Sequence, residues 1–129
     1  MVKELGLRQV AQRVEDLDRA IAFYNRLLGA EPVAIFNPPG FAFYSLGDTR
    51  LLLEPFAPSA MIYLHVSNVR ERIEELRADG VEIVSEPHIV FPDPTGVFDR
   101  PGDEWLAIIR DSEGNSVGLM SREKSNVHS

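Results

Sequence analysis

The sequence predicts an α+β domain made of two successive βαβββ units, and three observations carry that prediction. Short strand-like runs bounded by turn residues alternate with two stretches whose apolar residues recur at helical spacing. Both stretches open on a residue suited to a helix N-cap, Asp16 and Asn68, and both close on a glycine, Gly29 and Gly80. The pattern also repeats in register. Val14/Val66, Leu17/Val69, Ile21/Ile73 and Tyr24/Leu76 each stand 52 positions apart, and after one gap Gly29/Gly80, Glu31/Glu82 and Val33/Val84 stand 51 apart. Two copies are too few for a solenoid, which needs at least ~3 repeats to be stable.

Taken in order, Leu7 to Val14 reads as a strand, and Asp16 caps a helix whose stripe is Leu17, Ala20, Ile21, Tyr24, Leu27 and Leu28. Pro32 to Phe36, Phe41 to Leu46 and Arg50 to Glu54 follow as strands, separated by Asn37-Pro38-Pro39-Gly40 and by the hairpin-sized Gly47-Asp48. A link from Pro55 to Ala60 leads into the second pass. Its strand is Met61 to Val66, and its helix, capped by Asn68, carries the stripe Val69, Ile73 and Leu76 and ends near Gly80. Strands are then expected at Val81 to Val84, Ile89 to Phe91, Trp105 to Arg110 and Ser116 to Met120, with Asp111 to Asn115 as the last hairpin turn. The prolines and glycines between Phe91 and Gly102 predict a long irregular loop there, either a lid over a ligand or a mobile insertion.

The composition agrees with one ordinary globular domain over residues 1–129: 44% of residues are hydrophobic and 26% charged. Repeat one occupies about residues 5–55 and repeat two about 60–121, leaving a polar tail, 122–129, that is expected to fray. A formal net charge of -7 opposes binding to nucleic acid, which rests on clustered Lys and Arg. No apolar run approaches the roughly 18 residues of a membrane span, and the first residues lack a signal-peptide core, so a cytoplasmic protein is expected. With no cysteine, thiolate chemistry and disulfides are excluded. Phosphate-cradling glycine loops, paired zinc-ligand spacings and nucleophile elbows are absent too.

The run Val14-Glu15-Asp16-Leu17-Asp18-Arg19-Ala20-Ile21-Ala22-Phe23-Tyr24, with Leu27-Leu28-Gly29-Ala30-Glu31-Pro32, resembles the first strand and helix of the glyoxalase / bleomycin-resistance / extradiol-dioxygenase (vicinal oxygen chelate) superfamily. Asp111-Ser112-Glu113-Gly114-Asn115 is similar to that family's turn before its last strand, with serine in place of the usual proline. The resemblance implies paired curled sheets around a cleft that often holds one divalent metal. It also implies four ligand positions. The first falls on Gln9, a weak donor, and the second on Glu54 or, in an alternative register, on Leu52, which shares its face. The third falls on Met61 and the fourth on Gly118, neither of which suits a hard or borderline cation. The expectation is therefore no metal and no other cofactor.

Other polar and aromatic residues remain as site candidates. Tyr63 and His65 share a strand face with Met61, which makes Tyr63 a ligand contact and His65, with Glu54, a candidate for acid-base work. Arg13 shares a face with Gln9 and is placed either at an anionic ligand group or in solvent at the strand end. Phe91 and Phe98 are candidates to cover an apolar ligand, and Trp105 is either a stacking wall or a core or dimer residue. Two functions follow. One is a small-molecule binder whose acidic cleft takes a cationic or aromatic compound; the other is a metal-dependent or metal-free lyase, isomerase or dioxygenase acting on a small oxygenated substrate. A homodimer is expected in either case.

Overall fold

The computed structural model describes residues 6–97 and 101–124. The chain divides into two compact units, one spanning Leu7–Ile62 and the other comprising the residues from Tyr63 onward. Both follow the predicted α+β plan. In the first unit, β1 (Gly6–Arg13), α1 (Leu17–Leu28), β2 (Ala34–Phe36), β3 (Phe41–Leu46) and β4 (Thr49–Glu54) give the strand order β2-β3-β4-β1, with β1 parallel to β4. The second contains most of β5 (Met61–His65) and all of α2 (Val69–Ala78), β6 (Glu82–Asp93), β7 (Gly102–Arg110) and β8 (Ser116–Glu123). Its order, β6-β7-β8-β5 with β5 parallel to β8, repeats that of the first.

The repeat read from the numbering extends to the helix ends. Asp16 accepts the backbone N–H of Arg19 at 3.0 Å, and Asn68, its counterpart, accepts that of Glu71 at 3.0 Å. Gly29 and Gly80 both take the left-handed conformation that ends a helix, with φ of 65° and 83°. Each helix then packs its stripe on one face of its own sheet, except Leu27, expected in the first stripe but 64% exposed. Leu17, Ala20, Ile21, Tyr24 and Leu28 pack on Ala42, Tyr44, Leu51 and Leu53. In the second unit Val69, Ile73 and Leu76 pack on Val66, Ala107 and Leu119. Each fully buried Val or Ile stabilises by about 1.5–3 kcal/mol. Tyr44 reaches through its cluster so that its hydroxyl lies 2.8 Å from the Asn25 amide; burial, with Glu31 and Tyr24 nearby, pushes that phenol up.

The final hairpin turn is held by one carboxylate. Asp111 accepts from the Asn115 side-chain amide at 2.9 Å and from the backbone N–H groups of Asn115 and Glu113, each at 2.8 Å, bonds that hold its carboxyl below the usual range.

Two expectations need correction. The strands expected at Val81 to Val84 and Ile89 to Phe91 are parts of one bulged strand, β6, which reaches Asp93 and pairs Phe91, Pro92 and Asp93 with Glu104, Asp103 and Gly102. Prolines do not break it because β6 is an edge strand of its unit, where a missing N–H costs no ladder bond on the open side. The irregular loop is thus shorter than predicted, and Phe98 lies outside the described residues. The start of the expected frayed tail is also ordered: Arg122 and Glu123 complete β8.

Candidate functional site

Strand alternation divides each sheet into a helix-covered face and an opposite face, and the opposite face is where polar side chains collect. In the first unit Ala42, Tyr44, Leu51 and Leu53 go to the helix. Their alternates, matched by the pairings Gln9↔Arg50, Ala11↔Leu52, Phe43↔Leu52 and Phe36↔Phe41, go to the other side. Gln9 and Arg50 are both buried there, at 3% and 7% exposure. The Arg50 Nε donates to Gln9 Oε1 at 3.0 Å, and the guanidinium carbon lies 5.5 Å from the centre of the Phe43 ring. Phe43 makes edge contacts with Phe36 at 5.9 Å and with Phe41 at 6.4 Å, and Phe41 in turn meets Phe56 at 6.5 Å. The result is an aromatic wall around one fixed cation.

Glu54 stands on the same face, paired with Arg13, but its Oε1 accepts the backbone N–H groups of Phe56 and Ala57 and so holds the turn after β4. Arg13 is exposed at the strand end, with its backbone N–H on Ser59 Oγ at 3.2 Å.

In the second unit Leu64 and Leu119 turn toward α2, which leaves Tyr63, His65, Gly118 and Met120 on the opposite face. Tyr63 is buried and pairs directly with Gly118. A Cβ added at Gly118 would sit 2.3 Å from Tyr63 Cδ2, so the phenol ring fills the space a side chain at 118 would need. His65 is half-buried beside Met120. Phe91 is half-buried in β6 opposite Glu104. Trp105 lies on the helix side, packed against the core around Val69 and Ile73 with Arg70 stacked 4.2 Å above its ring.

Sequence reasoning missed the buried charges. Arg122 donates to Asp93 Oδ2 and to Glu104 Oε1, each at 3.0 Å, with all three side chains at most 5% exposed. Asp93 Oδ1 also accepts the backbone N–H groups of Gly96 and Val97 at 2.9 and 2.8 Å, which ties the start of the following loop to the sheet. Arg50 carried a readable signal, since it alternates with Leu52 and Glu54. Arg122 carried none, sitting in a polar run at the end of the apolar pattern.

The residues present do not fit a divalent metal. The Gln9 oxygen accepts from a guanidinium, whose charge repels a second cation; at the second position Glu54 is engaged with two backbone N–H groups, and in the alternative register Leu52 has no donor to offer. The other two positions hold a thioether, Met61, and a glycine covered by a phenol ring. Among the described residues no group of three or more His, Asp or Glu side chains is placed to hold an ion.

A family model described as Glyoxalase/Bleomycin resistance protein/Dioxygenase superfamily matches residues 6–119. This chain belongs to that superfamily. Solved members and relatives share the fold at low identity. A methylmalonyl-CoA epimerase in complex with methylmalonyl-CoA superposes with a TM-score of 0.69 at 15% identity, covering 98% of this chain and 99% of the other. A superfamily member from Vibrio splendidus 12B01 gives 0.62 at 14% identity, over 92% of this chain and 98% of the other. The Mn(II)-bound glyoxalase from Novosphingobium aromaticivorans gives 0.61 at 22% identity, over 98% of this chain but 42% of that longer one. No curated protein matched the chain. Among the described residues no helix is long and apolar enough to cross a membrane.

Proposed function

We propose that this superfamily member binds a small organic molecule on the aromatic face of its first sheet, without a resident divalent metal. The contact between Arg50 Nε and Gln9 Oε1 carries the reading: it places a permanent positive charge on an oxygen that would otherwise be free to serve a metal. Phe36, Phe41, Phe43 and Leu52 supply the apolar surface that small-molecule sites require. Proton transfer by Glu54 is disfavoured, because that carboxylate is engaged with two backbone N–H groups of a turn.

The test is a thermal-shift screen of small aromatic compounds on protein treated with a chelator, alongside elemental analysis of the untreated protein. A ligand at a hundred times its Kd should stabilise by about 2.7 kcal/mol, with or without chelator, and Phe43→Ala should lose most of that gain. One tightly held metal per chain, or ligands that act only when metal is restored, would contradict the proposal.

We further propose a homodimer. Val84, Ile89 and Val90 of β6, an edge strand of the second unit, are exposed, and self-association would cover them. Light scattering at tens of micromolar should return twice the chain mass of 14.5 kDa, and a monomer there refutes the dimer.

A further inference from the structure

Resting on the binding face proposed above, we infer that Phe56 forms its outer wall, set in place by Glu54, and that the face therefore favours two-ring aromatic ligands over one-ring ones.

The inference starts from an exposed ring on a held backbone. Phe56 is 70% exposed, the most of any large hydrophobic side chain among the described residues. Single apolar side chains on a surface are ordinary. This ring is not single: it meets Phe41 at 6.5 Å, Phe41 meets Phe43 at 6.4 Å and Phe43 meets Phe36 at 5.9 Å, each pair edge to face. Strand register explains the join. The pairing Ala42↔Leu53 sets the start of β3 beside the end of β4, so the turn that follows Glu54 emerges next to Phe41.

Glu54 turns that proximity into a fixed geometry. Its Oε1 accepts the backbone N–H groups of both Phe56 and Ala57, and the residue is itself buried. A buried carboxylate that grips two successive amides holds the backbone of the turn, so little ordering remains to be done there when a ligand arrives. Glu54 is thus a positioning residue for Phe56. Phe36, Phe41 and Phe43 are half-buried on the sheet, whereas Phe56 stands past the end of β4. A ligand that reaches from the sheet rings to Phe56 takes apolar area of both out of water, which a single ring resting on the sheet does not.

NMR titrations with two matched pairs test this, phenol against 2-naphthol and benzamide against 2-naphthamide. On the parent each two-ring compound should bind at least ~10-fold more tightly than its one-ring partner. Phe56→Ala, a change at an exposed position, should lower two-ring affinity about tenfold and one-ring affinity less than about threefold. Glu54→Gln keeps an acceptor oxygen and should retain the parent's preference, whereas Glu54→Ala should lose it. If Glu54→Ala misfolds, Phe56→Ala decides the role of the ring and Glu54→Gln that of the acceptor. Equal losses for the two sizes in Phe56→Ala, or no loss, overturn the role of Phe56 and leave the binding face standing. A preference that survives Glu54→Ala, or that Glu54→Gln abolishes, overturns the positioning role. If no compound perturbs Phe43 or Leu52 in the parent, the face itself is refuted, and this inference with it.

Discussion

Arg122→Met is expected to be the most damaging single substitution in the second unit, at about 3–5 kcal/mol, because it removes the cation from between two buried carboxylates. Arg122 is 5% exposed, and it bonds Asp93 and Glu104 at 3.0 Å each. Taking it away breaks both of these buried ion pairs in a low-dielectric environment. For a chain of this length that is a fall in Tm of roughly 10–20 °C. Arg122→Lys should fall in between, since an ammonium is not a planar fork that can span both oxygens. Thermal unfolding of the two variants at neutral pH decides this. A loss below ~1 kcal/mol at neutral pH would mean that water or another residue takes over the arginine's role.

Gly118→Ala is expected to cost about 1–3 kcal/mol, although it adds a single methyl group in a strand, where alanine normally beats glycine. The reason is the ring of Tyr63. The new Cβ would stand 2.3 Å from Cδ2, 2.8 Å from Cε2 and 3.0 Å from Cγ, so the whole ring must swing and not merely its tip. A double-mutant cycle isolates the effect. In a Tyr63→Ala background the same substitution should be close to neutral, giving a coupling energy of about 1–3 kcal/mol between the two positions. Equal costs in both backgrounds would show that the glycine is needed for some reason other than the ring. Gly118→Glu should fail to create a metal site for the same cause, because its carboxylate would have to displace the phenol.

The contrast between Gly118 and the helices shows what a single sequence can convey. Asp16, Asn68, Gly29 and Gly80 act within a few residues of themselves, so their roles as caps and stops follow from local order alone. The stripes at Leu17/Ile21/Tyr24 and Val69/Ile73/Leu76 have a period that names their partner face without naming the partner. Gly118 is different. From the sequence it is a ligand position lacking a ligand; that a tyrosine fills the gap depends on β5 and β8 lying parallel in one register, Tyr63↔Gly118, which no local pattern encodes.

The buried charges divide along the same line. Arg50 was within reach, since a strand that runs Arg50-Leu51-Leu52-Leu53-Glu54 puts positions 50, 52 and 54 on one side, and Gln9 was already assigned to that face. Asp93, Glu104 and Arg122 come from three strands, one read as loop and one read as tail. Proline in an edge strand and polarity at a chain end both imitate disorder, and only the ladder pairing Phe91↔Glu104 and Glu104↔Arg122 brings the three together. Glu54 shows the reverse failure. Its face was anticipated, but a carboxylate that accepts from the next turn is indistinguishable in sequence from one held ready for chemistry.

The central claim, a proposal, is that a small aromatic molecule binds on the Phe43 face without a resident metal. The most direct measurement is the backbone 15N NMR signals of Phe43 and Leu52 during titration of chelator-treated protein with the aromatic compound that most raises its melting temperature. The account predicts that both signals shift together and saturate with the rest of the binding curve, unchanged by the chelator. Shifts that appear only once a divalent metal is added, or saturable binding that leaves both signals in place, would contradict it.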